Sequence, residues 1–576
     1  MKKATCTLAA AVLLTSFALA GCSGKDGGNN GNAAASPQSS QSSTATSDAS
    51  ASTSSSPAAD NTDPLGKYDP PIKLTAVNTL IAGNAKFLPG ESPSNNIWIK
   101  TYAEELGIDV NVLWGSDSVD KLTLMVASGD LPDLFALPGD SPMFDQLVDQ
   151  GQLEDLTDVY DKYASPLVKD LMTRDGGRTL EGSKRNGKIY SIPRWHDPID
   201  ASLVLWVRED WRTKLGLPEP KTMDDIKAIA TAFATQDPDG NKKADTTGLY
   251  VSGDGTEPDG YYNLDPVFYG FHAYPNSWVE DASGKLVYGK AQADVMKSAL
   301  KLLQEMYKDK LIPKDFALKK GEQLEEDTAQ GKYGLIYGEY YFPDYPLRSL
   351  KQADPKADWK AYSIVSADAE PAMMPVPGLE ILNRFVAKKG TAHPEAIIKM
   401  LNLATEKLYG PNADYAKYNI DAATNRSIWK YTVVQQLLPR QEDNKYVNIN
   451  KALETKDTSS LTTIEKDAYD KVVDYMNNGT IDNWPFFAMY GPGGSIRHHL
   501  EYEKEGRLLY DKFTGTPTPA MTEYKDALDV RFNDVMVKII MGASVDDYDK
   551  YVEEWYKQGG QKMTDEANAW YAENKK

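Results

Sequence analysis

Between residues 72 and 136 the chain alternates strand-like and helix-like segments, and this cadence limits the fold more than any other feature. Ile72-Lys73-Leu74-Thr75-Ala76-Val77 has the period of two expected of a strand. Asn95 to Leu106 places Ile97, Trp98, Tyr102 and Leu106 along one side of a helix, with Gly107 as its stop. Ile108 to Leu113 predicts a second strand, Val119 to Ala127 a helix closed by Ser128-Gly129-Asp130, and Pro132 to Ala136 a third strand. Strands separated by helices pair by crossover rather than by hairpin, so the pattern predicts a parallel sheet with helices on both faces. A chain of 576 residues exceeds the ~250–300 residues at which single cores stop growing, so at least two lobes are expected.

Four blocks then point to a family. KLTLMVASGDLPDLFAL at 121–137 is similar to a helix–strand junction of extracellular solute-binding proteins of the maltose-binding type. LVLWVREDWRTKLGLPEPKTMDDI at 203–226 resembles their crossover strand and following helix, and KYGLIYGEYYFP at 332–343 their turn-rich cleft strand. VKIIMGASVDDYDKYVEEWYKQGGQKMTDEANAWY at 537–571 resembles the C-terminal signature of the LipO-like and YtcQ-like Gram-positive lipoproteins of ABC sugar importers. The resemblance implies an α/β, two-lobed periplasmic-binding-protein-like fold. Each lobe would be a mostly parallel sheet flanked by helices, joined to the other by a multi-strand hinge. It implies a first lobe of 68–198 and 377–499 and a second of 199–376 and 500–576, with crossings near His196–Trp206 and near Pro377-Gly378.

The N-terminus reads as an address. Lys2 and Lys3 precede an apolar run from Leu8 to Leu19 that is short for a spanning helix, so 1–21 reads as a secretory signal. It ends Leu19-Ala20-Gly21-Cys22, which resembles the bacterial lipobox. That resemblance implies cleavage before Cys22, with diacylglycerol on its sulfur and an N-acyl chain on its amine. The protein would then sit on the extracellular face of the cell membrane, held there by lipid only. Ser23 after the cysteine favours a Gram-positive-type host. Residues 22–67 are rich in Ser, Ala and Asn and lack the apolar side chains that offset ordering entropy, so they read as a disordered tether with a reach of about 35 Å. The only cysteines are Cys6 and Cys22, so no disulfide framework is expected in the body. Loss of the signal would take the formal charge from -20 to -22, which argues against nucleic acid as a partner. A monomer is expected.

Asp237-Pro238-Asp239-Gly240-Asn241-Lys242-Lys243-Ala244-Asp245 carries oxygen ligands at alternate positions. Asp237, Asp239, Asn241, the Lys243 carbonyl and Asp245 could supply a structural Ca2+. The loop departs from the usual pattern at Lys242, where glycine is customary, and it lacks a bidentate Glu at Gly248.

The chain has 33 Tyr, 11 Trp and 14 Phe, and sugar sites need aromatic platforms beside planar polar groups. The candidates are Arg194, Trp195, His196 and Asp197 by the predicted hinge, then Glu339, Tyr340 and Tyr341, with Trp278 and Trp484 in two further aromatic loops. Tyr261, Tyr262 and Asn263 accompany Trp278. Trp206, Trp211, Trp555 and Trp570 sit at amphipathic spacing and are expected in the core. No nucleophile elbow, zinc-protease motif or phosphate-binding loop occurs, and Gly491-Pro492-Gly493-Gly494-Ser495 reads as a plain loop. The expectation is a non-enzymatic receptor that captures an oligosaccharide between two lobes and passes it to ABC permease subunits. The alternatives are a surface-anchored polysaccharide-degrading enzyme and a non-transport sensor or adhesion lipoprotein; a peptide ligand stays open.

Overall fold

The computed structural model describes residues 62–575 apart from 82–84, 140, 196, 254–263, 320–321, 377–380, 412 and 422–425. The signal segment, Cys22, nearly all of the tether, His196, Tyr261–Asn263 and Pro377-Gly378 therefore lie outside the described residues. Among the described residues no helix is long and apolar enough to cross a membrane.

Two sheets carry the architecture. Their strands in chain order are β1 (Ile72–Asn78), β2 (Ile108–Gly115), β3 (Leu134–Pro138), β4 (Ile192–Trp195), β5 (Leu203–Arg208), β6 (Thr247–Tyr250), β7 (Tyr333–Glu339), β8 (Trp359–Tyr362) and β9 (Ile381–Ala387). The first sheet has the order β2-β1-β3-β9-β4 and the second β8-β5-β7-β6. In the first, β1 runs parallel to β2 and β3, while β9 is antiparallel to both β3 and β4. In the second, β7 is parallel to β6, and β5 is antiparallel to both β7 and β8. Each sheet thus has a single reversed strand. In both cases it is the strand that arrives from the other sheet: β5 follows β4 through a short turn at Pro198–Ala201, and β9 follows the second sheet. A chain entering from the opposite lobe meets the sheet at the edge where its neighbours end, so it runs against them.

The period of two predicted for these strands decides which core each residue joins. Leu134 and Ala136 of β3 point into the cluster of Trp98, Tyr102 and Phe385, whereas Phe135 and Leu137 point into that of Phe144 and Leu147. In β5, Leu203, Leu205 and Val207 join one cluster, and Val204 and Trp206 the other. The interior strands β3 and β5 are covered on both faces and read as near-continuous apolar runs, whereas the edge strand β2 alternates, with Asp109, Asn111 and Leu113 exposed.

The helices that matter are α1 (Val119–Ser128), α2 (Met223–Thr235), α3 (Ala293–Lys308), α4 (Ala396–Tyr409), α5 (Gln441–Thr455), α6 (Thr463–Asn478), α7 (Trp484–Tyr490), α8 (Arg497–Lys504), α9 (Pro519–Ile540), α10 (Asp547–Trp555) and α11 (Gln561–Asn574). The predicted stop of α1 is Gly129, at φ +75°. A capping box starts α2: Thr222 accepts from the Asp225 N–H, and the Asp225 carboxylate accepts from the Thr222 N–H. Trp98, in the predicted first helix, has its indole N–H on the Ile428 carbonyl, and α4 is buried along most of its length against the first sheet's core. Helices α9, α10 and α11 pack on the second sheet, with Phe532, Trp555 and Met563 in one core with α3 and β5.

Residues 441–499 differ from the expected grouping with the first lobe. Trp484 at the start of α7 is buried with Trp206, Trp359 and Leu350 on the second sheet. Met489, Tyr490 and Ile496 form a cluster against Tyr340 and Tyr341, which follow β7. Tyr502 of α8 donates its hydroxyl to the Leu203 carbonyl and accepts from the Ile364 N–H. The reason is an apolar face on the second sheet that β5, β7 and β8 leave open and α5–α8 fill. By contrast, Ile428, Tyr431 and Val434 still pack with the first sheet, so the chain crosses once more between about 435 and 441.

Candidate functional site

Three crossings meet at the end of β4. The Trp195 N–H donates to Gln436 Oε1 (3.4 Å), and Gln436 Nε2 donates back to the Trp195 carbonyl (3.0 Å), tying the first crossing to the third. Opposite, Ile381 of β9 pairs with Trp195 and Asn383 with Arg194, with a bulge between them. Asp197 caps the turn that follows, its carboxylate accepting from the Ile199 N–H. Burial holds that carboxyl above the usual range; Arg440 pulls it down, while Asp443 and Glu503 push it up.

Around this knot lies a polar and aromatic seam. Trp195 is buried, yet it joins none of the apolar clusters, and its indole N–H has no acceptor among the described residues. Arg194 is 8% exposed. One guanidinium nitrogen donates to Asn383 Oδ1 (3.2 Å), and the group lies 5.1 Å from the centre of the Trp429 ring. Burial lowers the Arg194 pKa to about 10.

On the second-sheet side, Tyr340 meets the His499 ring edge-on at 5.2 Å, and its carbonyl accepts from Ser495 Oγ (2.7 Å). Its hydroxyl is pushed well above the usual phenol value by burial, then by the charges of Glu442 and Asp200. The Tyr490 hydroxyl donates to Glu442, which also pairs with Lys445 at 2.9 Å. His499 is fully buried with Nδ1 3.1 Å from Asp443, and Arg440 bridges Asp443 to Glu503. Asp200, Asp443 and His499 bring three donor atoms within 4.8 Å of one another, the one such group among the described residues. Arg440 already neutralises one of its carboxylates.

The predicted site residues divide. Arg194, Trp195, Asp197, Tyr340 and Tyr341 fall at or beside the seam. Glu339 ends β7 there, its backbone carbonyl accepting the Trp206 indole N–H (3.1 Å). Trp278 does not join them. It is 5% exposed, packed against Tyr288 at 5.0 Å and Phe513 within the second sheet's core. Trp484 is 1% exposed in the other core of that sheet. Both are apolar filling, the fate expected of Trp206, Trp211, Trp555 and Trp570; the first three meet it, while Trp570 is only half-buried, against Phe513 at 4.7 Å. Tyr490 belongs to the same late aromatic loop as Trp484 and does reach the seam, whereas Asp200, Glu442, Asp443 and His499 carry no signal in the sequence. Asp200 sits in the turn before β5, Glu442 and Asp443 open α5 and His499 lies in α8, so folding brings them together from three distant stretches and no local motif marks them.

The loop after α2 curls its side-chain oxygens inward. Both Asp237 oxygens accept from the Lys242 N–H (3.2 and 3.1 Å). The Asn241 amide nitrogen donates to Asp239 (2.6 Å) and Asp245 (3.0 Å), and Asn241 Oδ1 accepts from the Lys243 N–H. Burial raises the Asp239 carboxyl, and neighbouring Asp237 and Asp245 push it further. Lys242 has φ +63°, the left-handed turn that glycine usually makes at this position. The donor set therefore suits a hard, oxygen-seeking cation, with Asn241 rotating its oxygen inward.

The model of the bacterial extracellular solute-binding proteins matches residues 90–407. Lipoprotein LipO of Bacillus subtilis is 30% identical over 262 residues, covering 44% of this chain and 48% of LipO. The fructooligosaccharide ABC transporter substrate-binding protein FusA of Streptococcus pneumoniae is 28% identical over 239 residues, 40% of this chain and 43% of FusA. The chain thus spans about half the length of the curated relatives it matches. Among solved structures, FusA in complex with kestose aligns at TM-score 0.58 with 17% identity, over 88% of this chain and 99% of that one. The alginate-binding protein AlgQ2 without calcium ion aligns at TM-score 0.57 with 15% identity, over the same shares. These likenesses carry the two-lobed fold.

Proposed function

Taking as premise that this chain belongs to the bacterial extracellular solute-binding proteins, we propose that it captures an oligosaccharide between its two lobes and delivers it, chemically unchanged, to an ABC permease. The observation that carries the reading is the seam: two separately packed sheets, three crossings, and enclosed aromatic and polar groups where the crossings meet. The likeness to FusA, a fructooligosaccharide ABC transporter substrate-binding protein, supports the ligand class and the transporter. Arg194, Trp195, His196, Asp197, Glu339, Tyr340 and Tyr341 would contact ligand. The lobes would comprise 68–198 with 377 to about 438, and 199–376 with 441–576. Ligand favours the closed arrangement by its higher affinity for that state.

The protein would be a monomer on the outer face of the cell membrane, anchored through diacylglycerol and an N-acyl chain on Cys22. The loop of Asp237, Asp239, Asn241, Lys243 and Asp245 would hold a structural Ca2+. An AlgQ2 structure described as lacking calcium ion and a FusA structure described as an EF-hand mutant support that assignment. The Ca2+ would cross-link the end of α2 to β6 and take no part in ligand chemistry.

The test is a thermal-shift screen of mono- and oligosaccharides, followed by calorimetry on the hits. A ligand at a hundred times its Kd stabilises by about 2.7 kcal/mol, so a hit is plain. A broad glycan panel with no member raising Tm would overturn the reading. Release of reducing ends from a polysaccharide would instead favour the degrading enzyme.

A further inference from the structure

Cations are outnumbered in this chain, 63 Lys and Arg against 83 Asp and Glu, and most buried ones have a carboxylate in contact. Arg208 pairs with Asp210, Lys290 with Asp529 and Arg426 with both Glu91 and Asp421. Arg194 departs from this pattern. It is more than nine-tenths buried, it makes one hydrogen bond, to the neutral amide of Asn383, and its Nε is enclosed without an acceptor. Among the described residues no carboxylate pairs with it. A buried guanidinium left in this state is costly, and the cost is offset when an anion arrives to fill the fork.

A second cation shares the location. Lys430 Nζ lies 5.4 Å from the centre of the same Trp429 ring that Arg194 approaches at 5.1 Å. Among the described residues Lys430 likewise has no carboxylate partner. Two unpaired cations therefore lie close to one half-buried indole, and Arg194, on the edge strand β4 of the first sheet, stands one residue before Trp195 and three before Asp197 at the first crossing. The ring offers an apolar platform for a pyranose face, and the cations offer bidentate and point-charge recognition of a carboxylate.

We propose that the ligand is an acidic oligosaccharide, and that Arg194 and Lys430 bind the carboxylate of a uronate residue resting on Trp429. The proposal rests on the sugar-receptor reading above and narrows it.

The experiment is titration calorimetry on the whole mature protein with two probe sets. One contains oligogalacturonides and mannuronate and guluronate oligomers of two to six units; the other contains the neutral galacto-, manno- and gluco-oligosaccharides of the same lengths. The expected result is saturable binding within the acidic set, weakened at least tenfold by Arg194→Gln and several-fold by Lys430→Gln, and weakened by raising salt from 50 to 500 mM. Lys430→Gln removes a half-exposed side chain and serves if Arg194→Gln fails to fold. Binding of neutral sugars alone would overturn this proposal and leave the receptor reading standing. Acidic binding that neither variant alters would overturn the assignment to these residues. Binding from neither set would count against both.

Discussion

Replacing Trp484 by alanine separates a core residue from a ligand platform. The sequence suggests a platform, whereas the structure encloses the indole at 1% exposure between Trp206, Trp359 and Leu350. A Trp of this kind buries ~150–250 Å², worth about 4–6 kcal/mol at ~25 cal/mol per Å². The alanine returns part of this, and the surroundings relax only partly around the hole, so a loss of about 3–5 kcal/mol is expected. Lys351 Nζ, 5.6 Å from the ring centre, adds about 0.5–1 kcal/mol if its contact with the ring is also lost. Because Trp484 anchors α7, the loss should appear first in the 441–499 helices. The assay is urea unfolding followed by tryptophan fluorescence and by hydrogen exchange. Exchange should quicken in α5–α8 before the first sheet. A variant with unchanged unfolding and abolished sugar binding would refute the reasoning.

Three further outcomes follow from particular contacts. Adding Ca2+ to chelator-stripped protein should raise Tm, by the equivalent of about 2.7 kcal/mol at a hundred times Kd; Asp239→Asn should remove the shift, and a shift surviving in that variant would place the ion elsewhere. Asp511 is half-buried and its carboxylate accepts from the Trp278 and Phe513 N–H groups; desolvation outweighs these bonds and pushes the carboxyl up to about 6. A raised acid binds its proton more tightly when folded, so its contribution is full below about pH 4 and lost as pH rises through 6. On acidification from pH 7 to 4 the wild type should gain about 2 kcal/mol relative to Asp511→Asn; parallel stability–pH curves would contradict this. Arg440→Ala leaves the buried Asp443 carboxylate without its cation and should cost about 3–5 kcal/mol, measured by thermal unfolding, with Arg440→Lys recovering part. A loss under 1 kcal/mol would show that His499 suffices as its partner.

The parts of the fold that rest on local pattern could be read in advance. The predicted strands and helices between 72 and 136 match Ile72–Asn78, Ile108–Gly115 and Val119–Ser128 closely, because period and stop residues agree there; the helix before Gly107 is α over Ile97–Thr101 and π over Tyr102–Leu106, and the third strand falls two residues later, at Leu134–Pro138. Apolarity alone misled at Trp278 and Trp484. Aromatic loops of similar composition fill cores or line clefts according to which sheet face they meet, and that is decided by tertiary packing. The same limit explains the 441–499 helices, whose amphipathic faces name no partner, and the Asp443–His499 pair, which lie 56 residues apart. Arg194 was identifiable from its place beside the predicted hinge. Its lack of a counter-ion was not, since that depends on what every neighbouring element brings.

The most direct measurement is small-angle X-ray scattering of the mature protein, titrated with a saccharide whose binding calorimetry has established. The radius of gyration should fall and saturate at the calorimetric half-point, as two lobes close around the guest. Saturated binding with an unaltered scattering curve would contradict a receptor that works by closure.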